Sequence, residues 1–299
     1  MNRVRITKTL RGHDTLWFYI FISPWLIGFV LFHLGPMAAS LVLSVTNYSV
    51  LMPTRFVSIS NYQAMFADEL FWLSISNTVY YATISVPLTI VTALLLALLL
   101  NNSTLRGRAL FRSVFYMPSI LPLVAVSILW IWLLQPRFGL INTFLSWFAI
   151  KGPNWLGDPA WTKPGLIIMR LTHIGADMVI FLAALQGVPV HLYEAAELDG
   201  AGRFRKFLHI TIPMISPAIF FTFIIGFINS FQVFTQAYIM TGGGPNNATL
   251  FYVLYLYQFA FEFFKMGHAS AMAWFLFVVI VSLTFVQFRW GSRWVHYGN

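Results

Sequence analysis

Six long apolar stretches, at 17–45, 72–100, 113–134, 165–188, 212–240 and 268–288, constrain this chain more than any other feature. A helix needs about 20 apolar residues to cross a bilayer. Five of the six stretches contain no Asp, Glu, Lys or Arg; the fourth is the exception. A soluble fold of 299 residues could not bury so much apolar surface, since 59% of them are hydrophobic and only 9% are charged. Soluble domains carry about 25% charged residues. Lipid offers the backbone no hydrogen-bond partner, so a spanning segment is either a helix or part of a closed barrel. The runs are continuous rather than alternating, which favours helices. The expected fold class is an all-α membrane protein, one transmembrane domain over 1–299 with six spanning helices. A soluble enzyme, a disordered protein and a nucleic-acid binder are excluded. The absence of cysteine removes disulfides, thiol nucleophiles and Cys-ligated metals.

The net charge of +9 reads as a topology signal rather than a nucleic-acid footprint. One set of ends and loops holds Arg3, Arg5, Lys8, Arg11, Arg106, Arg108, Arg112, Arg203, Arg205, Lys206, Arg289 and Arg293. The opposite set holds Arg55, Arg137, Lys151, Lys163 and Lys265. This bias places both termini in the cytoplasm, and an even number of spans requires both on one side. The basic start resembles a signal-peptide n-region. The apolar run behind it is too long for an h-region, and Met37-Ala38-Ala39 is a poor cleavage site, so the first stretch is a retained anchor. Two shorter apolar runs, 250–261 and 143–150, read as interfacial or re-entrant pieces. Pro24, Pro36, Pro87, Pro118, Pro122, Pro213 and Pro217 fall inside the stretches and should kink their helices.

The loop between the fourth and fifth stretches, YEAAELDGAGRFRKFLHITIP at 193–213, is polar yet patterned. Leu192, Ala195, Ala196 and Leu198 have helical spacing. Glu194 sits early, where a helix terminus favours an anion. Gly200 and Gly202 can end the helix. A second short helical run, 203–210, should follow before Pro213. The picture is a helix, a glycine turn and a helix on the cytoplasmic face. The bland alternative is a connector that touches only lipid headgroups.

Glu194-Ala195-Ala196, Asp199-Gly200-Ala201, Ile210, Pro213 and Pro217 closely resemble the EAA loop of ABC importer permeases. TGGGPNNAT at 241–249, MGHASAMAW at 266–274 and the six-span layout are similar to the carbohydrate-uptake branch, the maltose and glycerol-phosphate type. The resemblance covers nearly the whole chain. It implies a type I ABC importer permease fold with a cytoplasmic coupling helix in the loop 190–211. It also implies that Glu194, Ala195, Ala196, Asp199 and Gly200 contact a separate ATP-hydrolysing subunit, with Gly200 as the turn. The implied partners are a second permease, related but not identical, a dimer of ABC ATPase subunits and an extracytoplasmic solute-binding protein. The implied location is the cytoplasmic (inner) membrane of a bacterium or archaeon, in contact with lipid.

The chain has no G-x-x-x-x-G-K-[ST], so ATP belongs to a partner, and no cofactor is expected here. GAGRFR at 200–205 puts Arg205 where a dinucleotide fingerprint needs glycine. There is no H-E-x-x-H, and the seven histidines are scattered, so no metal site and no catalytic residue are expected. Gly242-Gly243-Gly244-Pro245 reads as an outer turn, either a contact for a docked binding protein or a plain flexible turn.

Polar groups within the stretches mark the candidate pathway. On a continuous helix, at 100° per residue, His173 lies about 60° and Asp177 about 20° from Arg170, so the three share a face. They read either as pathway lining or as an Arg–Asp pair that fixes packing. Asn229, Gln232 and Gln236 recur at i, i+3, i+7, with Phe231 and Phe234 nearby. Amides beside aromatic faces suit a sugar-type substrate; the alternative is hydrogen-bonding glue between helices. Asn77, Tyr80 and Tyr81 are weaker candidates. The leading function is a permease for a sugar or oligosaccharide. Glycerol phosphate or another polar solute is the nearest alternative. An ion-coupled secondary transporter using Arg170 and Asp177, and an intramembrane enzyme, are readings from other classes.

Overall fold

A computed structural model describes residues 9–49, 53–102 and 104–296, with side chains from residue 15. Arg3, Arg5 and Lys8 of the orientation argument lie outside the described residues. In chain order the helices are α1 (Thr9–Phe29), α2 (Gly35–Ser44), α3 (Ser60–Ala67), α4 (Glu69–Asn101), α5 (Arg108–Tyr116), α6 (Leu123–Leu133) and α7 (Leu140–Ser146). There follow α8 (Pro159–Leu171), α9 (Gly175–Gln186), α10 (Val190–Leu198), α11 (Arg203–Lys206), α12 (Ile212–Phe231), α13 (Thr235–Met240), α14 (Tyr252–Tyr257) and α15 (Met266–Gly291). π-turns occupy Val30–Leu34, Phe207–Thr211 and Gln258–Glu262, and a 3-10 turn occupies Met117–Ile120. Among the described residues there is no strand; Thr46 and Phe56 form an isolated antiparallel bridge.

Among the described residues, three continuous helices are long and apolar enough to cross a membrane: Thr15–Ser44, Glu69–Asn101 and Met266–Gly291. The other three expected stretches are not straight rods. Arg108–Ile120 and Leu123–Leu133 meet at 102°, Pro159–Leu171 and Gly175–Gln186 at 49°, and Arg203–Met214 and Ser216–Phe231 at 63°. Counting each bent pair as one span gives six. The 102° bend falls between Pro118 and Pro122, where Pro122 adopts an extended conformation. The 63° bend falls at Ile215, between Pro213 and Pro217; Pro217 cannot donate to the Pro213 carbonyl. The Ser216 hydroxyl donates to that carbonyl instead, at 2.7 Å. Ser23, before Pro24, does the same for the Ile20 carbonyl at 2.8 Å. In both places a serine satisfies the carbonyl that its following proline strands. Pro87 lies within α4 without interrupting it.

The chain forms two compact units. The first comprises the described residues up to Met65 together with Phe259–Phe275. Its first helix is exposed along most of its length, as a lipid-facing helix should be. Asn61 pins the chain beyond α2 by donating to the Ser44 and Thr46 carbonyls, both at 2.8 Å. The Gly267 N–H, at the start of α15, donates to the Tyr48 carbonyl at 2.9 Å.

The second unit comprises Phe66–Gln258 and the chain from Leu276 onward. Its core is α4 packed on α9 and α12. Ala93 and Ala97 let the helices approach, and Leu94, Met178, Phe181, Leu182 and Ile215 fill the space between them. Residues 250–257 of the 250–261 run do not lie on a surface: Phe251, Tyr252 and Leu254 are buried and α14 packs on α4, while Phe261 at the end of the run is exposed. The Tyr252 N–H donates to the Thr78 hydroxyl at 3.0 Å. Around the 143–150 run, by contrast, Phe144, Trp147, Phe148 and Ile150 are exposed. The chain end folds back on α12. There the His296 N–H donates to Ser216 Oγ at 2.9 Å, and Phe220 meets Phe288 and Trp294 edge-on.

Gly175 opens α9 where it crosses the 3-10 turn. A Cβ there would lie 2.6 Å from the Phe115 carbonyl oxygen and 2.7 Å from Tyr116 Cα. Backbone atoms cannot yield cheaply. Gly175→Ala should therefore destabilise the protein by about 1–3 kcal/mol. Size-exclusion of the detergent-solubilised protein after graded heating would show this, and an unchanged melting midpoint would refute the contact.

Candidate functional site

Three interruptions in the helices meet at one place. A cavity of about 400 Å³ is bounded by the 3-10 turn and the residues after it (Ser119, Leu121, Leu123), by the α8–α9 break (Arg170, His173) and by the α12–α13 break (Gln232, Val233, Phe234). Tyr81 of α4 completes the wall, with Asn229 and Gln236 on either side of the third break. Backbone that leaves the helix inside a membrane is tolerated where it lines a cavity rather than lipid. The sequence residues Arg170, His173, Asn229, Gln232 and Gln236 all line this cavity.

They do so by a different geometry from the one expected. The stretch 212–240 is not one helix: α12 ends at Phe231, Gln232 caps it, and α13 starts at Thr235. Asn229, Gln232 and Gln236 converge because the backbone turns between them, not because they form a helical stripe. Arg170, His173 and Asp177 likewise do not share one helical face. Arg170 lies in the last turn of α8, His173 in the break, and Asp177 in the first turn of α9. Arg170 Nη2 stands 3.8 Å from Asp177 Oδ2, and Nη1 reaches the His173 carbonyl at 3.5 Å. Asp177 does not line the cavity. Both prior readings of this trio thus describe part of it: Arg170 is paired, loosely, and also faces the cavity. Tyr81 and Gln236 line the same cavity as Arg170.

Asn77 and Tyr80 are placed differently. Asn77 is buried; its amide donates to the Asn247 carbonyl at 2.8 Å and to the Leu250 carbonyl at 3.1 Å. It accepts from Lys163 Nζ at 2.8 Å, and that ammonium also lies 4.8 Å from the Tyr80 ring centre. These contacts hold the 241–249 turn. The turn is also tied internally, Thr241 and Thr249 hydroxyls at 2.7 Å and Thr249 Oγ1 donating to the Gly244 carbonyl at 2.8 Å. It is therefore not a slack connector. Ser119 was not singled out from sequence; the Pro118/Pro122 pair flanking it was the available signal.

The loop 190–211 is built from a capped helix. α10 runs from Val190 to Leu198, so Glu194 is mid-helix rather than in the first turn, and the terminal-charge argument for it does not apply. Gly200 has φ +76°, the left-handed conformation that closes a helix. Its N–H donates to the Glu197 carbonyl at 3.0 Å, and the Ala201 N–H to the Ala196 carbonyl at 2.8 Å. This pair of bonds is the Schellman closure. Beyond it, the run from 203 does not stop before Pro213. It continues through the Phe207–Thr211 π-turn into α12. Lys206 pairs with Glu197 across the turn, and its ammonium holds that carboxyl below the usual carboxylate range. The Tyr193 and Thr211 hydroxyls meet at 2.9 Å. Glu194, Ala195, Asp199 and Gly200 are exposed and Ala196 half-buried. Leu198 and Phe204, 91% and 74% exposed, add an apolar surface that the sequence pattern did not mark as functional. Among the described residues no cluster of three His, Asp or Glu could hold a metal ion.

A family model described as "binding-protein-dependent transport system inner membrane component" matches residues 85–295. The chain is 41% identical over 289 residues to the probable ABC transporter permease protein YesP of Bacillus subtilis (strain 168), covering 95% of this chain and 93% of that protein. It is 36% identical over 276 residues to the lactose transport system permease protein LacF of Rhizobium radiobacter, covering 90% and 92%. In the solved structure of a bacterial alginate ABC transporter in complex with an alginate pentasaccharide-bound periplasmic protein, one chain has the same fold. Its TM-score is 0.82 at 25% identity, over 95% of this chain and 96% of that one.

Asn77→Leu would leave two buried carbonyls and the Lys163 ammonium short of a partner. An unsatisfied buried group costs about 1–3 kcal/mol. The variant should melt earlier, while the substrate concentration for half-maximal uptake stays at the wild-type value. A shifted half-saturation would return Asn77 to the pathway.

Proposed function

The chain belongs to the family of binding-protein-dependent transport system inner membrane components, and from that premise we propose the full role of its parts. It is the membrane-embedded permease subunit of an ABC importer of the sugar-uptake type. The family is one of transport permeases, not enzymes. The observation that carries the reading is the convergence of three helix breaks on one polar and aromatic cavity. Discontinuous helices are how membrane transporters build substrate sites at mid-membrane. In this reading Asn229, Gln232 and Gln236 offer amides to sugar hydroxyls, Phe234 offers an aromatic face, and Arg170 and His173 complete the lining. Asp177 acts on the pathway through Arg170.

The finer assignments are ours. Glu194, Ala195, Ala196, Asp199 and Gly200 form the contact with a separate ATP-hydrolysing subunit, and ATP binds there rather than to this chain. What supports this is the exposed, rigidly capped α10, with Leu198 and Phe204 uncovered beside it. Exposed apolar surface rimmed by charge marks protein contacts. A second, related permease and a pair of ATPase subunits complete the complex. An extracytoplasmic binding protein delivers the sugar. Both termini face the cytoplasm, which the Lys and Arg bias supports. Closure of the paired ATPases moves the loops, and the permease switches between two packings.

Two variants test the two ends of this mechanism. Gly200 has no neighbour within 4 Å of an added Cβ, so Gly200→Val acts only through its positive φ. Backbone strain of this kind costs about 1–3 kcal/mol and opens the turn. Affinity purification from native membranes should recover a P-loop ATPase with the wild type and less with the variant. Crosslinking in membranes that finds no ATPase at all would overturn the coupling assignment. Gln232→Leu should lower uptake several-fold while the complex still assembles; full uptake would remove Gln232 from the site.

A further inference from the structure

We propose that the cavity takes a saccharide bearing an oxyanion (a carboxylate, sulfonate or phosphate) and that Arg170 receives that group. The inference deepens the sugar-importer reading and rests on it. Among the described residues the cavity wall carries Arg170 and no carboxylate. The remaining polar lining carries no formal negative charge: amides from Asn229, Gln232 and Gln236, hydroxyls from Tyr81, Ser119, Ser230 and Thr235, and the imidazole of His173.

The Arg170 guanidinium is not saturated by its protein contacts. A well-formed charge-assisted hydrogen bond is about 2.7–2.9 Å long. The Arg170–Asp177 approach is 3.8 Å, and the bond to the His173 carbonyl is 3.5 Å. A guanidinium carries five N–H donors in a planar fork. Two stretched contacts leave that fork with donors to offer. Its side chain is 29% exposed, so a solute in the cavity can reach it.

Asp177 then has a definite role. Standing behind Arg170 and outside the lining, it offsets the charge of the empty cavity without filling the fork. A cation in a membrane interior is retained where something compensates it. An incoming oxyanion replaces a poor partner with a bidentate one, which fits Arg better than Lys. A neutral sugar would satisfy the amides and leave the fork as it is.

The test uses the complete transporter, this chain with its co-purifying subunits and binding protein, in ATP-loaded proteoliposomes. Uptake is followed for digalacturonate, a sulfonated glycoside and a phosphorylated disaccharide, and for lactose and maltotriose as neutral probes. The three anionic probes separate carboxylate from sulfonate and phosphate. The expected result is ATP-dependent uptake of an anionic probe, with kcat/KM reduced tenfold or more in Arg170→Gln, as the loss of a hydrogen bond to a charged group gives about 1.5–3 kcal/mol. Arg170→Lys should recover part of the loss, and Asp177→Asn should retain or improve uptake. A merely structural Arg–Asp pair predicts the reverse: Asp177→Asn would be as damaging as Arg170→Gln, and the double variant would restore uptake. That pattern, uptake of neutral probes alone, or an anionic probe indifferent to Arg170→Gln overturns the inference and leaves sugar import standing. No ATP-dependent uptake of any saccharide, with ATP hydrolysis unresponsive to the binding protein, overturns the sugar-importer reading and this inference with it.

Discussion

Backbone hydrogen bonding in a medium without water is the constraint on which this structure depends. Wherever a helix is broken inside an apolar stretch, the freed N–H and C=O groups need partners. The protein answers in two ways. At Pro24 and Pro217 a preceding serine donates to the stranded carbonyl, and the chain stays in helical form. At 121–122, 172–174 and 232–234 the helix is abandoned, and residues of all three breaks face one cavity. Polar backbone and polar side chains are thus gathered in the same place. The site is a consequence of where the helices can afford to stop.

That arrangement explains what could be read from the residues and what could not. The six apolar stretches declare themselves by length and lack of charge, because transfer into lipid depends on composition more than on packing. The end of α10 was also readable, since only glycine takes φ +76° at ease and Gly200 follows a helical pattern at the right distance. The interruptions were harder. Proline marks a possible kink but not its size: Pro87 leaves α4 intact, whereas Pro118 and Pro122 frame a 102° bend. The break at 172–174 has no proline at all. Directly after it Gly175 packs closely on the Phe115–Tyr116 backbone, a tertiary contact that no local pattern announces.

The candidate site shows the same division. Asn229, Gln232, Gln236, Arg170 and His173 line one cavity, as polar groups in an apolar stretch need a polar destination. The periodicity argument that grouped them was wrong in both helices, because 100° per residue applies only while the helix continues. Asn77 illustrates the opposite error. A buried amide in a spanning helix can serve a substrate or the protein itself, and this one donates to the Asn247 and Leu250 carbonyls and accepts from the Lys163 ammonium.

The coupling proposed for the loop gains a mechanical basis from one feature that the pattern of residues did not suggest. From Arg203 the chain runs helically, without a non-helical residue, through α11, the Phe207–Thr211 π-turn and α12 to Phe231. At about 1.5 Å per residue this is a lever several turns long, stiff in its segments and bent by 63° at Ile215, between Pro213 and Pro217. One end is tied to α10, by Lys206 to Glu197 and by Tyr193 to Thr211. The other end is Asn229–Gln232, the polar edge of the cavity. A displacement imposed on α10 therefore reaches the cavity through bonded backbone, without a chain of side-chain contacts in between. Beside the bend the Pro213 carbonyl is served by Ser216 rather than by the helix, so rotation there breaks no backbone hydrogen bond at that carbonyl. Switching between two packings then requires rotation about a hinge that exists in the resting structure, with no helix to be broken anew.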